Sequence, residues 1–411
     1  MKQELLKKYA EFIVRVGVNV QPGQTMIVNG NLETAPLARL CVRAAFEAGA
    51  RDVRVDWVDE DCSRTRMELG SEEALCDIKP YLLRSYLDYA ESEGGVCVLH
   101  LLADDPEVYN GLDTGKINRV GMARRTALKP WRVYTMNDKI QWCIAAMPSE
   151  SWAKVIFPDE DTEVAVEKLW DAIFKVCRVT DGDPVGAWQK HLAHLSELKD
   201  KMNDYDFESL HFVSSNGTDL TVGLADQAIW ESAVSPNEKG VEFLPNIPTE
   251  EVFTAPHKDK VNGIVYGTKP YAYNGQLIKG FHVTFKDGRV IEHGAVEGAD
   301  LLGQLLDSDE GSRSIGEVAL VPASSPINRS GLLFYNTLFD ENAACHMAFG
   351  DSYPGTTMGG KTLPQEQLTA RGMNHSDIHE DVMIGAEDTN ITGLTRDGRT
   401  IQIFENGEWV L

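Results

Sequence analysis

The sequence predicts an α/β protein of two domains. The first is a doubly wound, largely parallel α/β domain, and the second is a mixed, mainly antiparallel α+β domain. Three observations support this prediction. The chain has 411 residues, more than one ordinary core accommodates. Strand and helix patterns alternate through its first half. Its second half is instead rich in the Asn-Gly and Asp-Gly pairs that are typical of antiparallel hairpins.

The first half of the chain has the order strand, helix, strand. Thr25–Gly30 is a short apolar run closed by glycine, and Glu33–Ala48 then places its apolar residues on one helical face. Further strands are expected at Asp52–Val58, Gly95–Leu102 and Gln141–Ala146, with helical intervals between them. Parallel neighbours require such crossover connections, so this order predicts a parallel sheet flanked by helices.

A helical pattern from about residue 161 to 202 separates the two halves. It is interrupted at Asp181-Gly182-Asp183-Pro184, where glycine and proline disfavour a continuous helix. We therefore expect domains at residues 1–182 and 183–411. The first lacks both the Gly-x-Gly-x-x-Gly and the Gly-x-x-x-x-Gly-Lys-Ser/Thr fingerprints, which argues against a nucleotide site and favours a scaffold role.

Hairpin turns mark the second half. Asn216-Gly217, Asp287-Gly288, Asp397-Gly398 and Asn406-Gly407 each separate two runs of strand-forming residues. Ala299–Leu306 is a short helical segment among them. Each two-residue turn joins antiparallel neighbours, so this half is expected to be mainly antiparallel.

Charge and composition exclude several classes of partner. The formal net charge of −24 opposes binding to nucleic acid or to an anionic membrane. No apolar run is long enough to span a bilayer, and the N-terminus lacks the apolar core of a signal peptide. The seven cysteines are scattered and include no Cys-x-x-Cys pair. These features predict free thiols and a cytoplasmic location.

The segment from residue 374 to 385 concentrates metal-binding residue types. His375, Asp377, His379 and Asp381 occupy alternate positions just before the apolar run Val382–Ile384. On an extended strand, alternate side chains share a face, and imidazole and carboxylate together suit a divalent ion. The alternative interpretation is a polar loop that leads into a buried strand.

Two further segments place carboxylates in unusual surroundings. Glu250 and Glu251 lie in a segment bounded by prolines, residues 244–256, and only one of two adjacent residues on an extended chain can face a given site. Glu317 is the one acid in the apolar run 314–322. A buried carboxylate is costly unless it is paired or coordinated. Glu251 could instead stabilise a surface turn, and Glu317 could pair with a basic residue.

A fourth segment combines an acid and a histidine. Residues 339–350 predict a short helix capped by Asp340, with Glu341 in its first turn and His346 beyond it. The alternatives are an exposed first-turn acid favoured by the helix dipole and a core histidine with ordinary hydrogen bonds. Four such segments within one half of the chain favour a metal site over four unrelated explanations.

The same segments carry a resemblance to a known family. Asn-Ile-Pro-Thr-Glu-Glu-Val-Phe-Thr-Ala-Pro, Gly-Glu-Val-Ala-Leu-Val, Phe-Asp-Glu-Asn-Ala-Ala-Cys-His-Met-Ala-Phe-Gly and His-Glu-Asp-Val-Met-Ile-Gly are similar to motifs of the aminopeptidase T family. These are the thermophilic-type M29 metallo-aminopeptidases of bacteria. The resemblance extends along essentially the whole chain and includes the Gln-Pro-Gly-Gln segment at 21–24.

The resemblance implies two divalent metal ions per subunit in the C-terminal domain, with Zn, Co, Mn and Mg all left open. It implies Tyr353 as a catalytic phenol. It leaves open which carboxylate serves as general base, and we expect Glu317 in that role. His375 and Asp377 are not ligands in the family pattern. The ligands it implies are Glu251, Glu317, Glu341, His346, His379 and Asp381.

The function implied is release of single N-terminal residues from short peptides through a metal-bridged water. The family also implies a homodimer whose active sites face an internal cavity. The alternative function is a non-haem Fe(II) ring-cleaving dioxygenase, which needs only two histidines and one carboxylate. A non-catalytic protein of the same fold would be expected to lack a ligand. The full set of four carboxylates and two histidines favours the peptidase, whose residue preference is left open.

Overall fold

The computed structural model describes residues 2–180, 182–273 and 276–411. It divides into two compact units. Residues 1–191 and 234–248 form the first, and residues 192–233 and 249–411 form the second. The turn expected to separate the domains begins at Asp181, which lies outside the described residues, and the boundary after residue 182 stays a prediction. All the candidate metal ligands fall in the second unit.

The strands vary in length from two to eleven residues. In chain order they are β1 (Thr25–Asn31), β2 (Asp52–Val58), β3 (Val96–Leu102), β4 (Trp142–Ala146), β5 (Phe207–Val213), β6 (Asp219–Leu224), β7 (Ser235–Pro236), β8 (Glu242–Phe243), β9 (Val252–Thr254), β10 (Pro256–Tyr266), β11 (Tyr271–Tyr273), β12 (Gln276–Ile278), β13 (His282–Lys286), β14 (Arg289–Gly294), β15 (Ile315–Leu320), β16 (His346–Gly350), β17 (His379–Met383), β18 (Asn390–Thr395), β19 (Thr400–Glu405) and β20 (Glu408–Trp409).

The α-helices are concentrated in the first half of the chain. They are α1 (Lys2–Phe12), α2 (Ala35–Glu47), α3 (Glu60–Leu69), α4 (Glu72–Cys76), α5 (Pro80–Ala90), α6 (Thr114–Ala127), α7 (Lys129–Met136), α8 (Glu150–Ile156), α9 (Thr162–Val176), α10 (Pro184–Tyr205), α11 (Ala299–Leu306), α12 (Pro326–Arg329), α13 (Thr337–Asp340) and α14 (Gln365–Ala370). Across the part of the chain that the structure describes, no helix is both long and apolar enough to cross a membrane.

The first unit contains the predicted parallel sheet. Its strand order is β2-β1-β3-β4, and every neighbouring pair is parallel. Helix α2 connects β1 to β2 and buries the apolar face formed by Leu37, Ala38, Cys41, Ala44 and Ala45. The chain leaves this helix through Gly49, which has a φ of 96° that disfavours residues with a side chain. The α/β class expected for this part of the sequence is confirmed.

Antiparallel sheets dominate the second unit, as predicted. The larger has eight strands in the order β14-β13-β10-β6-β5-β18-β19-β20. Each predicted turn pair lies between two antiparallel strands of this sheet: β5 and β6, β13 and β14, β18 and β19, and β19 and β20. The predicted helix at Ala299–Leu306 is α11. Large apolar side chains, among them Phe212, Phe281 and Phe404, fill the core beside this sheet.

A smaller antiparallel sheet of four strands, in the order β17-β16-β15-β9, carries the acidic and histidine motifs. All six residues of β15 and all five of β16 are buried, so a polar side chain on either strand is removed from water. The backbone hydrogen bonds of these strands satisfy their polar groups while the side chains are buried.

Two local predictions for these motifs are wrong. The helix before the third motif begins at Thr337, and its cap is Asn336, whose Oδ1 accepts from the Leu338 N–H at 3.1 Å. Asp340 therefore ends this helix instead of capping it. Its carboxylate accepts from the backbone N–H groups of Phe334 at 2.8 Å and Asn336 at 3.0 Å, which fold the preceding loop around it. His346 opens strand β16 and does not belong to a helix.

The strand predicted at the fourth motif is shorter than its alternating pattern suggests. Strand β17 begins at His379, so His375 and Asp377 precede it and do not share its face. His375 is directed to Asp351, with Nδ1 at 3.0 Å from Oδ1. The backbone N–H of Asp377 donates to Asp309 at 2.6 Å. These bonds hold the segment as a loop.

A substitution at Gly316 tests how closely strand β15 packs against β16. The register of the two strands shifts between Ile315 and Glu317, and a Cβ at 316 would overlap the backbone carbonyl oxygens of Gly350 and Asp351. We expect Gly316→Ala to lower the free energy of unfolding by about 1–3 kcal/mol, as overpacking does, measured by urea denaturation. Gly121→Ala is the control, because its Cβ would meet only the Arg125 side chain at 3.7 Å in α6. Equal stability of Gly316→Ala and the parent would contradict this packing.

Candidate metal centre

The polar side chains of the four-stranded sheet come from neighbouring strands. Glu317 lies on β15, His346 on β16, and His379 and Asp381 on β17. Glu251 immediately precedes β9. Strands that are distant in the sequence thus bring together five of the six ligands that the family resemblance implies.

Strand register explains why these side chains meet. Ala348 of β16 is the register partner of Glu317 on one side and of Asp381 on the other. Directly opposite side chains of antiparallel strands project to the same face with Cβ atoms about 4.5–5.5 Å apart. The methyl group of Ala348 separates the two carboxylates without filling the space above them. His346 lies two residues away on the same strand face.

The side chains form two groups that share one carboxylate. Glu251, Glu317 and His346 form the first group, and Glu317, His379 and Asp381 form the second. Glu317 Oε1 lies 3.6 Å from His346 Nε2, and Glu317 Oε2 lies 3.6 Å from His379 Nε2. The two oxygens of one carboxylate therefore face different histidines.

The spacing within each group suits a metal ion. His346 Nε2 lies 3.1 Å from Glu251 Oε2, and His379 Nε2 lies 3.6 Å from Asp381 Oδ1. Two ligand atoms about 2.1 Å from one tetrahedral ion are separated by about 3.4 Å. The pairs are thus spaced as ligand atoms around an ion would be.

Backbone carbonyl groups orient both histidines. His346 Nδ1 lies 3.2 Å from the Ala344 oxygen, and His379 Nδ1 lies 2.8 Å from the Asp351 oxygen. A carbonyl oxygen can only accept, so each Nδ1 carries the proton and donates it. In the neutral ring Nε2 is then the unprotonated atom that can bind a cation, whereas in the protonated ring Nε2 donates to the carboxylates. Histidine ligands of metal sites are commonly fixed in this way.

Burying the carboxylates of this site costs free energy unless a cation neutralises them. Burial raises the pKa of Glu317 to about 7, against the opposing effect of the two histidines. Burial and the charges of Asp381 and Glu251 raise the pKa of Glu341 well above its ordinary value. Burial by itself would lower the pKa of His346, but its hydrogen bonds to Glu251 and Glu317 outweigh burial and raise it. Each group is held in the protonation state that best reduces the repulsion among the carboxylates.

One buried carboxylate oxygen of the site lacks a hydrogen-bond partner. Asp381 Oδ1 is inaccessible to solvent and has no hydrogen-bond partner. Such an atom costs about 1–3 kcal/mol, and more when it is charged. Carboxylate and imidazole are also the ligand types that Zn, Mn and Co prefer. The orphaned oxygen and the ligand chemistry both fit a divalent cation.

Glu341 and Tyr353 border the two groups. Glu341 is buried and lies outside both groups, and its Oε1 accepts from Asn342 Nδ2 at 3.3 Å. The ring of Tyr353 is centred 4.7 Å from that of His379 and 6.2 Å from that of Phe253. Burial and the charge of Glu317 raise the pKa of Tyr353 well above its ordinary value, so the phenol keeps its proton.

Some site features were outside the reach of sequence reasoning. The backbone carbonyls of Ala344 and Asp351 leave no side-chain signal. Ala348 could have been identified once β16 was recognised as a strand, because it follows His346 by two residues. His375 and Glu250 lie next to ligand segments, but neither belongs to either group.

A buried pair of carboxylate–imidazole groups defines a metal-dependent class of protein, and similarity to known proteins identifies its family. A family model described as thermophilic metalloprotease (M29) matches residues 2–409. The chain is 43% identical over 404 residues to Aminopeptidase 2 of Geobacillus stearothermophilus, covering 98% of this chain and 97% of that protein. It is 40% identical over 408 residues to Aminopeptidase T of Thermus aquaticus, covering 99% of each.

Comparison with solved structures supports the same family. The solved structure of wild-type AmpT from Thermus thermophilus has a TM-score of 0.92 with this chain at 37% identity, and 100% of both chains is covered. The chain belongs to the M29 family of thermophilic metalloproteases. The family expected from the motifs, the use of divalent metal and the enzyme class, a metallo-aminopeptidase, are confirmed.

The buried charges predict a reversal of pH dependence on metal binding. In chelator-treated protein the unfolded chain releases the Glu317 proton near pH 4.5, whereas the native state holds it to about pH 7. Native protein then binds more protons across this window, so its free energy of unfolding falls by on the order of 3 kcal/mol as pH rises. Metal binding needs deprotonated ligands, so saturating divalent metal should make stability rise with pH instead.

Thermal unfolding between pH 4.5 and 7.5, with and without metal, measures this effect. Glu317→Gln should make the decline of the chelated protein shallower, since its amide does not titrate. Glu366→Gln, on the short surface helix α14, is the control and should leave the decline unchanged. A pH slope of the same sign with and without metal would contradict the assignment.

Proposed function

We propose that this enzyme is a dinuclear-metal-dependent aminopeptidase that releases single N-terminal residues from short peptides. The observation that carries the proposal is the division of Glu317 between two ligand groups, one oxygen to each. A mononuclear site would need only one histidine–carboxylate group. The names of the most similar relatives, Aminopeptidase 2 and Aminopeptidase T, support the same substrate class.

The residues present would hold two ions in defined positions. Glu251 and His346 would bind one ion, and His379 and Asp381 the other, with Glu317 between them and Glu341 completing the set. Two divalent ions, when bound, supply Lewis-acid polarisation of a carbonyl and a water of lowered pKa. The ligand types suit Zn, Co, Mn or Mg.

Tyr353 would stabilise the oxyanion that develops on the scissile carbonyl. Its half-buried phenol keeps its proton at neutral pH, so it can donate a hydrogen bond but does not compete as an anion. Its ring lies against that of His379, which places it beside the second ligand group. The catalytic role assigned to Tyr353 from the family resemblance is thus supported by its position.

The acidic surroundings also favour recognition of a free amine. A free N-terminal amine needs acceptors, and a carboxylate-rich centre or the ions that it would hold provide them. An acylated N-terminus would lose this attraction. We therefore expect an exopeptidase that acts at the amino end of its substrate.

Proton transfer requires a carboxylate near the reacting water. The general-base role of Glu317 stays a prediction, because both of its oxygens also face histidines. Glu341 is the nearby carboxylate outside both groups. The homodimer and the cytoplasmic location are likewise predictions drawn from the family and from the seven free thiols.

A metal-restored peptidase assay tests the proposal. Chelator-stripped protein would be supplied in turn with Zn, Co, Mn, Mg or Fe(II) and given aminoacyl-p-nitroanilides with free or acetylated amines. We expect metal-restored cleavage of the free-amine series alone, and its loss in Glu317→Gln and His379→Ala. A folded, ion-binding protein that cleaves no substrate with any ion would contradict the proposal. Fe(II)-dependent oxygen consumption with a dihydroxy aromatic substrate would then support the dioxygenase alternative.

Removing a single hydroxyl tests the role of Tyr353. If the phenol donates only to the developing oxyanion, Tyr353→Phe should lower kcat by about 100- to 1000-fold and leave KM nearly unchanged. The matched control is Tyr266→Phe, because Tyr266 also packs against a histidine, with ring centroids 5.5 Å apart. Steady-state kinetics measure both variants. Equal kcat values for the two would refute the assignment.

A further inference from the structure

Asn342 lies between two of the segments that carry candidate ligands. Its side chain is fully buried, directly after Glu341 in the turn that follows α13. It is not itself in either ligand group. A primary amide is costly to bury unless its oxygen and its N–H₂ group are hydrogen-bonded.

The hydrogen bonds of Asn342 join two segments that are 92 residues apart. Its Oδ1 accepts from the backbone N–H of Glu250 at 2.7 Å. Its Nδ2 donates to the Leu338 oxygen at 3.1 Å and to Glu341 Oε1 at 3.3 Å. Its own carbonyl oxygen accepts from Ser325 Oγ at 2.6 Å, which fixes the backbone of the same turn.

Two of these bonds act on candidate ligands. The N–H of Glu250 lies one residue before Glu251, so its anchoring fixes the chain direction from which Glu251 reaches His346 Nε2 at 3.1 Å. The bond to Glu341 Oε1 restricts the rotation of that carboxylate. One amide thus holds the backbone beside one ligand and the side chain of another.

The direction of these bonds requires an amide in particular. Glu250 offers a donor, whereas Leu338 and Glu341 offer acceptors, and only a side chain with both an oxygen and an N–H₂ group satisfies all three. A carboxylate at 342 would satisfy the Glu250 N–H but would oppose Glu341. An apolar residue would leave a buried N–H and a buried carboxylate oxygen without this partner.

We propose that Asn342 is a positioning residue for the metal centre, which sets the geometry of Glu251 and Glu341 and thereby the affinity for the ions. The proposal rests on the proposed function, because it assumes that these two residues are ligands. Partners of metal ligands affect affinity or activity by about 10- to 100-fold when they are removed.

Metal affinity of the purified apo-protein tests this role independently of catalysis. We expect Asn342→Ala to weaken the binding of Zn or Co by about 10- to 100-fold in a chelator-competition titration. The visible absorption of the Co-loaded variant should also change, because it reports coordination number and geometry. The matched control is Asn203→Ala, since Asn203 likewise bonds the backbone N–H and oxygen of Trp230, at 2.9 and 3.0 Å, on segments without ligands.

Asn342→Asp separates positioning from charge and guards against a variant that fails to fold. It is nearly isosteric and keeps an acceptor for Glu250, so the fold should be retained. An added negative charge alone would tighten cation binding, whereas loss of the donor to Glu341 should weaken it. We therefore expect weaker binding than in the parent, whereas tighter binding would show that the added charge dominates and would contradict the positioning role.

The outcomes distinguish this inference from the function on which it depends. A parent protein that binds no divalent ion would refute the proposed metal function. A parent that binds ions, together with Asn342→Ala and Asn342→Asp variants that bind them equally well, would refute the positioning role alone. Equal weakening in Asn203→Ala would show a general effect of lost stability and would also overturn the inference.

Discussion

Burial of like charges is the constraint on which the second unit depends. Four carboxylates, Glu251, Glu317, Glu341 and Asp381, are drawn together on and beside one sheet, and two histidines are their nearest cationic partners. The attraction between these carboxylates and histidines does not offset the free energy needed to remove several charges from water. A divalent cation does so, because it neutralises two charges and offers several coordination positions at once. The fold is therefore organised to bind metal at a cost to its own stability.

The arrangement is rigid because ordinary sheet geometry supplies it. Strand alternation places His379 and Asp381 on one face, and antiparallel register sets Glu317 and Asp381 on either side of Ala348. Carbonyl groups next to the strands then fix the tautomer of each histidine. Little rearrangement is needed for such ligands to bind, which is the property that makes a metal site both tight and selective.

Sequence reasoning predicted the architecture well where local chemistry determines structure. The Asp287-Gly288 pair forms the two-residue hairpin turn that it favours, and the apolar face of Ala35–Glu47 needs only a sheet to cover it. At Asn216-Gly217 the predicted two-residue turn is wrong by one residue, because the Ser214 N–H donates to the Thr218 oxygen and leaves three residues in the loop. Prediction failed where tertiary contacts override a local preference. Asp340 satisfies backbone groups of the preceding loop instead of capping a helix, and the loop bonds of His375 end the alternating pattern before β17.

The metal centre likewise combines features that local sequence predicts with features that depend on tertiary contacts. The pattern of His379 and Asp381 can be recognised in the sequence, since both residues lie on strand β17. The meeting of Glu251 with His346 depends on the pairing of β9, β15 and β16, which no local pattern encodes. The family resemblance supplied what periodicity could not, namely a prediction of which acids belong to the set. Even so, the role of Asn342 needed coordinates, because a buried amide leaves no mark in the sequence.

Anomalous diffraction from crystals loaded with Zn or Co would test the central claim most directly. The account predicts two anomalous peaks in each chain, about 3.5–4 Å apart, on either side of the Glu317 carboxylate. One should lie with His346 and Glu251, and the other with His379 and Asp381. A single peak bound by both histidines would contradict the dinuclear assignment, because one ion would then take the ligands that the account gives to two.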